Sequence, residues 1–580
     1  MKSPLAENRK ESSIVLCGQA GQGIQTVERI LVRLLKLSGY NVFATKEYMS
    51  RVRGGSNSTE IRVASKRISA YVDRMDILIP FHQGALGHVE KRISSQTLVL
   101  GDEEILSKDS CVNGCKSLPI PLSRLASEIG GKLYVNIIAA GVVSGIFQVE
   151  QERLTEFIKD YFSKKGEDIV QKNIEAVQKG WEIGKGLLDS ENKDMKSWKK
   201  KSVREDILVN GAEAVGLGAL AGGCSFLSSY PMSPSTGVMV FLSQHMNGFD
   251  IIVEQAEDEI SAINMALGAS YGGARAMVTT SGGGFALMTE GVSLSGMLEL
   301  PVVIHLAQRP GPATGLPTRT EQADLELALY SGHGEFPRII FAPGKLEDAF
   351  SLTQKAFNLA DRFQIPVFVL TDQYFMDSYS NVPVFDSQGM TVEKHVIKSK
   401  KEYRRYALTE DGISPRGIPG YGEGLVGVDS DEHDQEAHIT EDLELREKMV
   451  EKRLKKLESI EKEILPPELI GNRDYRTLIV GWGSTLGVIN EALEKLSRKD
   501  ISLLHFKQVY PLHPGTRQYL EKAENVMIVE NNATSQFSKL IKLHTGVDVE
   551  TQILKYTGLP FSVEELAEKI QKNIQSGART

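Results

Sequence analysis

Three segments of the 580-residue sequence combine side chains that bind or activate small anions. The first is YPMSPST at 230–236, where Pro231 and Pro234 bracket Ser233. The two prolines fix the backbone and deny it a helix, which makes the Ser233 hydroxyl a fixed donor for an anionic ligand. A Pro-rich turn with surface hydroxyls accounts for the same residues. The second is VEQAEDEISAINMALGASYGGARAMVTTSGGGF at 253–285. A helix is expected to begin near Asp258, with Ile260, Ile263 and Leu267 inward and Glu259 in its first turn. Small residues (Ala266, Gly268, Ala269, Gly272, Gly273) let such a helix press closely on its neighbours. A strand at 276–280 then runs into SGGG, and a glycine run at the C-terminal end of a parallel strand is where ligands sit in open α/β sheets. Glu259 is there either a proton-handling carboxyl or a first-turn acid that complements the helix dipole. The third segment is QRPGPATGLPTRTEQADL at 308–325. Arg309 leaves an apolar strand for a Pro/Gly loop, where its guanidinium is either a two-pronged fork for a small carboxylate or a cap on strand-end carbonyls. Thr314, Thr318 and Thr320 offer further donors.

These segments need a sheet to hold them. Apolar runs at 276–280, 301–308, 338–342 and 366–372 alternate with helical patterns, the signature of a parallel sheet covered on both faces. An earlier α/β unit opens with SIVLC at 13–17, then GQAGQG, then a helix carrying Ile24, Val27, Ile30, Leu31, Leu34 and Leu35 on one face. Runs at 77–80 and 97–100 predict further parallel strands. The stretch 152–201 reads as helical, and the basic 193–206 as a solvated linker. From 394 to 466 the character changes to a Pro/Gly loop, SPRGIPGYGEG, an acidic stretch, DSDEHDQEAHITEDLE, and a charged helix at 443–464. His433 and His438 lie among carboxylates there, but without the spacing of a zinc or calcium site, so a solvated loop is expected. A last α/β unit has strands at 477–481, 501–506 and 526–530, a helix near 488–496, and an amphipathic terminal helix. The expected segments are therefore 1–195, 196–392, 393–466 and 467–580.

Composition narrows the function. A net charge of −8 argues against nucleic-acid binding, which needs a cationic surface. Four cysteines suit a reducing compartment better than a disulfide scaffold. No run of about 18 uncharged apolar residues and no signal-peptide pattern is visible, so no membrane association and a cytoplasmic location are expected.

Taken together, the three chemical segments resemble the subunit of the 2-oxoacid:ferredoxin oxidoreductases that binds the pyrimidine half of thiamine diphosphate. YPMSPST is similar to that family's YPITPSS. The runs EDEISAINMALGAS…ARAMVTTSGGGFALMTEG and RPGPATGLPT…QADL match nearly throughout, in the same order and spacing. SPRGIPG and DEHDQEAHITED bring the likeness nearest to 2-oxoglutarate-type alpha subunits. GQAGQGIQTVERIL and YMSRVRGGSNSTEIRVAS resemble the family's gamma domain, here fused ahead of the alpha portion. VGWGSTLGVINEAL and HFKQVYPLHP resemble a transketolase C-terminal-like domain. The implied fold is multidomain α/β, with parallel or mixed sheets flanked by helices. One departure is Ser233, where the family usually has threonine.

The resemblance implies oxidative decarboxylation of a 2-oxoacid, 2-oxoglutarate first, with coenzyme A to acyl-CoA, carbon dioxide and reduced ferredoxin. Glu259 would bind N1′ of the aminopyrimidine, since Gly268 stands nine positions later as in the family pattern. Glu257 has no such glycine. Arg309, with Ser233 and Thr318, would bind the substrate, and Ser233 would also face the cofactor. Gly54, Gly55 and Asn57 of GGSNSTEIR would contact coenzyme A, while an ordinary loop and strand fits them too. GQAGQG is equally a helix-start turn that binds nothing. The family's metal–pyrophosphate segment, Gly-Asp-Gly…Asn, is missing. So is a thiolate set for an iron–sulfur cluster: Cys111 and Cys115 stand apart from Cys17 and Cys224, and all four read as structural. Magnesium ion, the pyrophosphate site and a four-iron four-sulfur cluster are therefore expected on a beta subunit, in a heterotetramer of two gamma-alpha and two beta chains. Pyruvate, a branched-chain or an aryl 2-oxoacid stays open as substrate. A non-catalytic assembly subunit is the alternative of another class, against which Glu259, Arg309 and the Ser233 hydroxyl speak.

Overall fold

The computed structural model describes residues 10–19, 21–49, 55–106, 112–189 and 195–577. The chain forms two compact units, 1–209 with 378–384 and 562–565, and 210–377 with 385–561 and 566–580. The compact units do not follow the four expected consecutive segments: the first unit continues to 209 and takes back 378–384 and 562–565, and the second holds most of the other three segments together. In the first unit the strand Tyr379–Val382 pairs antiparallel with Asn41–Glu47.

The first unit is built on an eight-stranded mixed sheet. Glu11–Gln19, Ile77–Pro80, Leu98–Gly101 and Lys116–Pro119 are successive parallel neighbours. Ser56–Ala64 and Asn41–Glu47 continue the sheet antiparallel. The helix Ile24–Leu37 buries Val27, Ile30, Leu31, Leu34 and Leu35 against this sheet, as their spacing predicts. The described part of the expected linker is not simply solvated. Met195, Trp198 and Val203 are buried, and the Met195 carbonyl accepts the Tyr40 hydroxyl at 3.1 Å.

The second unit has two sheets around one apolar core that includes Val278, Ile304, Leu478, Trp482 and Phe506. The larger sheet is ordered Ile339–Phe341, Pro366–Asp372, Val302–Gln308, Ala276–Thr280, Phe226–Ser229 and Ile252–Gln255, all parallel, with Gln508–Tyr510 antiparallel at one edge. The smaller sheet is ordered Glu468–Ile470, Ile501–Phe506, Thr477–Trp482, Asn525–Glu530 and Thr551–Leu554.

The acidic stretch at 429–444 is largely exposed, as a solvated loop would be, His438 included, but His433 is buried and the rest of 393–466 packs within the second unit. Tyr406 and His433 are fully buried, with ring centroids 3.9 Å apart. Glu432 pairs with Arg453 at 3.0 Å and with Arg446. The helix Leu443–Ile460, shorter than expected, buries Lys452 and Lys456 on Glu299, each at 2.6 Å. The buried charges of that segment, Glu432, Lys452, Arg453 and Lys456, are each paired. Among the described residues, no helix is long and apolar enough to cross a membrane.

Candidate active site

Four parallel strands of the larger sheet end at one edge, and each delivers a chemical segment there. Phe226–Ser229 leads into YPMSPST, Ala276–Thr280 into the glycine run, and Val302–Gln308 into Arg309. Pro366–Asp372 ends in the buried carboxylate of Asp372. Ile252–Gln255, at the sheet edge, leads to the helix Glu259–Tyr271.

That helix starts where it does because Asp258, in an extended conformation, accepts the Ser261 backbone N–H at 2.7 Å. Asp258 does the capping, so the neighbouring Glu259 carboxylate is free for another task. Glu259 is 3 % exposed, and its Oε1 is buried with no hydrogen-bond partner. Burial pushes its carboxyl above the ordinary value; its own backbone N–H and Arg309 oppose this, and Asp258 adds to it. Glu257, by contrast, is exposed. The sheltering wall is the glycine run: a Cβ on Gly284 would overlap Glu259 Oε1 and Thr280 Oγ1, and one on Gly282 would overlap both carboxylate oxygens of Asp324.

Arg309 meets Ser233, but not through the hydroxyl that sequence reasoning singled out. Its Nη1 donates to the Ser233 carbonyl oxygen at 2.7 Å, while its Nε is buried without a partner. The carbonyl-capping role therefore accounts for one nitrogen and leaves the rest of the fork. Thr318 is half-buried on the same loop and is not a hydrogen-bond partner of Arg309. Thr314 is exposed. Thr320 is committed elsewhere: it donates to Asp372 at 3.3 Å and accepts the Tyr374 backbone N–H at 3.1 Å.

Two features were not legible. Ile260, expected inward, is 46 % exposed, and with Asn264, Met265 and Gly268 it forms an open stripe on the helix. A Cβ on Gly268 would meet nothing within 4 Å, so this glycine is not pressed against any described part of the chain. Asp324 is the second. It precedes the short helix Leu325–Tyr330 yet makes no side-chain cap. Only its position fifteen residues after Arg309, in a matching run, pointed to it.

In the first unit, Ser56 pairs with Gln19, which brings the start of GGSNSTEIR beside the GQAGQG loop. Gly55 has φ 77° and packs on Met49, and Asn57 Oδ1 accepts the Met49 N–H at 3.0 Å. Gly54 lies outside the described residues. A cavity of about 650 Å³ opens beyond the same strand ends, lined by Gly21, Gln22, Thr26, Phe81, Lys132 and Asn136 among others. Burial pushes the Cys17 and Cys224 thiols up to about 12, which keeps them protonated and unreactive. Cys115 is also buried, and Cys111 lies outside the described residues.

Residues 217–452 match the model of the thiamine-diphosphate-binding part of pyruvate flavodoxin/ferredoxin oxidoreductases, and residues 13–183 match that of pyruvate ferredoxin/flavodoxin oxidoreductase. The 2-oxoacid:ferredoxin oxidoreductase subunit alpha of a Sulfolobus species is 33 % identical, with 98 % of each chain covered. The 2-oxoglutarate oxidoreductase subunit KorA of Mycobacterium tuberculosis is 27 % identical over 97 % of this chain and 92 % of its own. The solved 2-oxoglutarate:ferredoxin oxidoreductase of Magnetococcus marinus superposes with a TM-score of 0.91 at 30 % identity, covering 98 % of this chain and 100 % of its own. The two family models and the full-length likeness agree, and the chain belongs to the alpha subunits of the 2-oxoacid:ferredoxin oxidoreductases.

Proposed function

We propose that this chain carries the pyrimidine side and the substrate-carboxylate side of a 2-oxoglutarate:ferredoxin oxidoreductase active site. The observation that carries this is Glu259: a buried carboxyl with an unpartnered Oε1, set against Gly284, where a side chain would overlap it. Such a group fits an aminopyrimidine ring nitrogen, and its raised affinity for a proton suits a shared hydrogen bond there. Bound thiamine diphosphate supplies the carbon nucleophile and electron sink for loss of carbon dioxide. Glu259 holds the proton at N1′. Arg309, anchored through one nitrogen on the Ser233 carbonyl, presents its remaining donors to the 2-oxoacid carboxylate. Ser233 serves chiefly by its backbone, and Thr318 lines the same loop.

The open stripe of Ile260, Asn264, Met265 and Gly268 is a docking face for a beta subunit holding magnesium, the cofactor pyrophosphate and a four-iron four-sulfur cluster. Two such pairs make the heterotetramer, which passes electrons to ferredoxin in the cytoplasm. Coenzyme A lies against Gly54, Gly55 and Asn57. Asn57 Oδ1 already accepts the Met49 N–H, which fixes the side chain and leaves its amide nitrogen as the donor for that contact. The choice of 2-oxoglutarate rests on the relatives named for it in Mycobacterium tuberculosis and Magnetococcus marinus. The test is purification with the beta partner and viologen reduction over a panel of 2-oxoacids with coenzyme A. Fastest turnover is expected with 2-oxoglutarate; a complex that prefers pyruvate would reassign the substrate, and one inactive on every 2-oxoacid would refute the reading.

A further inference from the structure

Asp324 is a carboxylate withheld from the work its position normally gives it. An Asp immediately before a helix usually accepts a backbone N–H of the first turn. Here the helix Leu325–Tyr330 receives no such bond from it. Instead the backbone is pinned, with the Asp324 N–H donating to Gln308 Oε1 at 2.9 Å, and the side chain turns onto Gly282. Its Oδ2 is buried with no partner. Gly282 and Gly284 thus separate two carboxyl groups, Asp324 on one and Glu259 on the other, and both interact electrostatically with Arg309. Asp324 and Arg309 nevertheless form no ion pair within 4 Å among the described salt bridges. Asp324 Oδ2 and Glu259 Oε1, against Gly282 and Gly284, are both buried and unpartnered, as is Arg309 Nε.

We propose that Asp324 is a positioning residue of the substrate pocket, which helps Arg309 hold the 2-oxoacid carboxylate when protonated and opposes that carboxylate when ionised. The inference rests on Arg309 as the carboxylate site. Burial pushes the Asp324 carboxyl up to about 7, with Glu321 adding to the rise and Arg309 opposing it. The charged groups facing it are few. Glu321 lies on its own loop, Arg309 at the strand end and Glu259 across the glycine run. On the helix Gln536–Thr545, which binds the neighbouring backbone through Gln536, Lys539 is paired with Glu326 at 3.0 Å. Asp372 is occupied by Thr320, Ser484 and the Phe375 N–H. When an anionic substrate enters, the ionised form of Asp324 takes one proton from bulk water; the neutral carboxyl then donates a hydrogen bond instead of repelling.

The sign follows. In the wild-type complex, kcat/KM for 2-oxoglutarate (or pyruvate, if that turns over faster) should fall by about tenfold per pH unit above neutrality, because the free enzyme must be protonated at Asp324. The loss should lie in KM, with kcat nearly constant. Asp324→Asn, a permanent donor, should stay within about threefold of wild type at pH 6, lose the alkaline limb, and exceed wild type by about tenfold one unit above the limb's midpoint. Glu321→Gln removes a neighbouring negative charge and should move the limb to lower pH; it serves if Asp324→Asn does not fold. A wild-type limb carried by kcat, or a limb unchanged in Asp324→Asn or in Glu321→Gln, would overturn the proposal. If Arg309→Lys leaves kcat/KM intact, the carboxylate assignment itself falls. If Arg309→Lys is impaired while the limb survives Asp324→Asn, only the role of Asp324 falls.

Discussion

Asp258 and Glu259 are adjacent acids with opposite employments: Asp258 Oδ1 accepts the Ser261 N–H at 2.7 Å, and Glu259 Oε1 has no partner at all. A first-turn carboxylate is stabilised by the helix dipole whether or not it does anything else. What sets Glu259 apart is that the cap is already filled and that burial raises its proton affinity. A buried polar atom left unpaired costs about 1–3 kcal/mol, which is the ground for the proposal that a bound ring nitrogen completes it.

Glu259→Gln should therefore preserve the fold and remove proton handling at the cofactor. General acid–base groups are worth about 10²–10⁴-fold, and the loss of hydrogen–deuterium exchange at C2 of bound thiamine diphosphate should fall in that range. Glu257→Gln, at an exposed position, should leave exchange unchanged. Near-wild-type exchange in Glu259→Gln would move the role to another acid.

Gly284→Ala tests the cradle by size alone. The added methyl would overlap Glu259 Oε1 and Thr280 Oγ1. Overpacking of this kind costs about 1–3 kcal/mol, which should appear as a lowered Tm together with weaker thiamine diphosphate binding. Gly283→Ala, whose nearest non-neighbouring atom would be the Ala313 carbonyl oxygen at 3.5 Å, should be much milder in both measurements.

The central strands and the glycine run were legible because buried parallel strands are continuous apolar runs; Ala276–Thr280 and Pro366–Asp372 coincide with the expected ranges. Phe226–Ser229 and Ile252–Gln255 were not, since four residues ending in Ser-Ser or Glu-Gln carry too little apolar signal. Ile260 was assigned inward because an apolar residue is assumed to seek its own chain's core, yet it is exposed here. The acidic stretch at 429–444 was legible as a largely exposed loop, but the pairing of Glu432, Lys452, Arg453 and Lys456 across long sequence separations was not, because no local pattern reveals it. Asp324 was hidden for the same reason: its meaning lies in a cap it does not make.

Glu299 anchors that segment, and removing its charge should be costly. Both carboxylate oxygens lie 2.6 Å from buried lysines, and its carbonyl accepts from Arg405 at 2.7 Å. Burial alone would raise its pKa, but Lys452, Lys456 and Arg405 overcome this and hold it well below the usual 4.5. The contribution to stability is thus fully present above about 4.5 and is lost as pH falls toward the depressed folded value. Glu299→Gln strands two buried ammonium groups and should destabilise the second unit by about 3–5 kcal/mol in chemical denaturation. The gap to wild type should narrow as pH drops below the ordinary carboxylate range; a gap that widens on acidification would contradict the assigned charge state.

Arg309 is held by one hydrogen bond, and in its proposed role the rest of its fork meets the substrate, so its replacement by lysine should not be conservative. Lysine keeps a positive charge but cannot hold the Ser233 carbonyl and present a planar pair of donors at once. A charge-assisted hydrogen bond is worth about 1.5–3 kcal/mol, so kcat/KM for the 2-oxoacid should fall by roughly ten- to a hundredfold in Arg309→Lys and further in Arg309→Met. Arg309 also lowers the proton affinity of Glu259 by its charge, so Arg309→Met should raise the Glu259 pKa, while Arg309→Lys, which keeps the charge, should move it less. Thiamine diphosphate affinity should barely change, because the proposed pyrophosphate site is on the beta subunit. Both quantities are measured in the reconstituted complex, kcat/KM at saturating cofactor and Kd by titration. A variant that loses the cofactor but handles 2-oxoacids normally once saturated would mean that Arg309 serves the loop or the cofactor, and that the unpartnered Nε faces something other than the substrate.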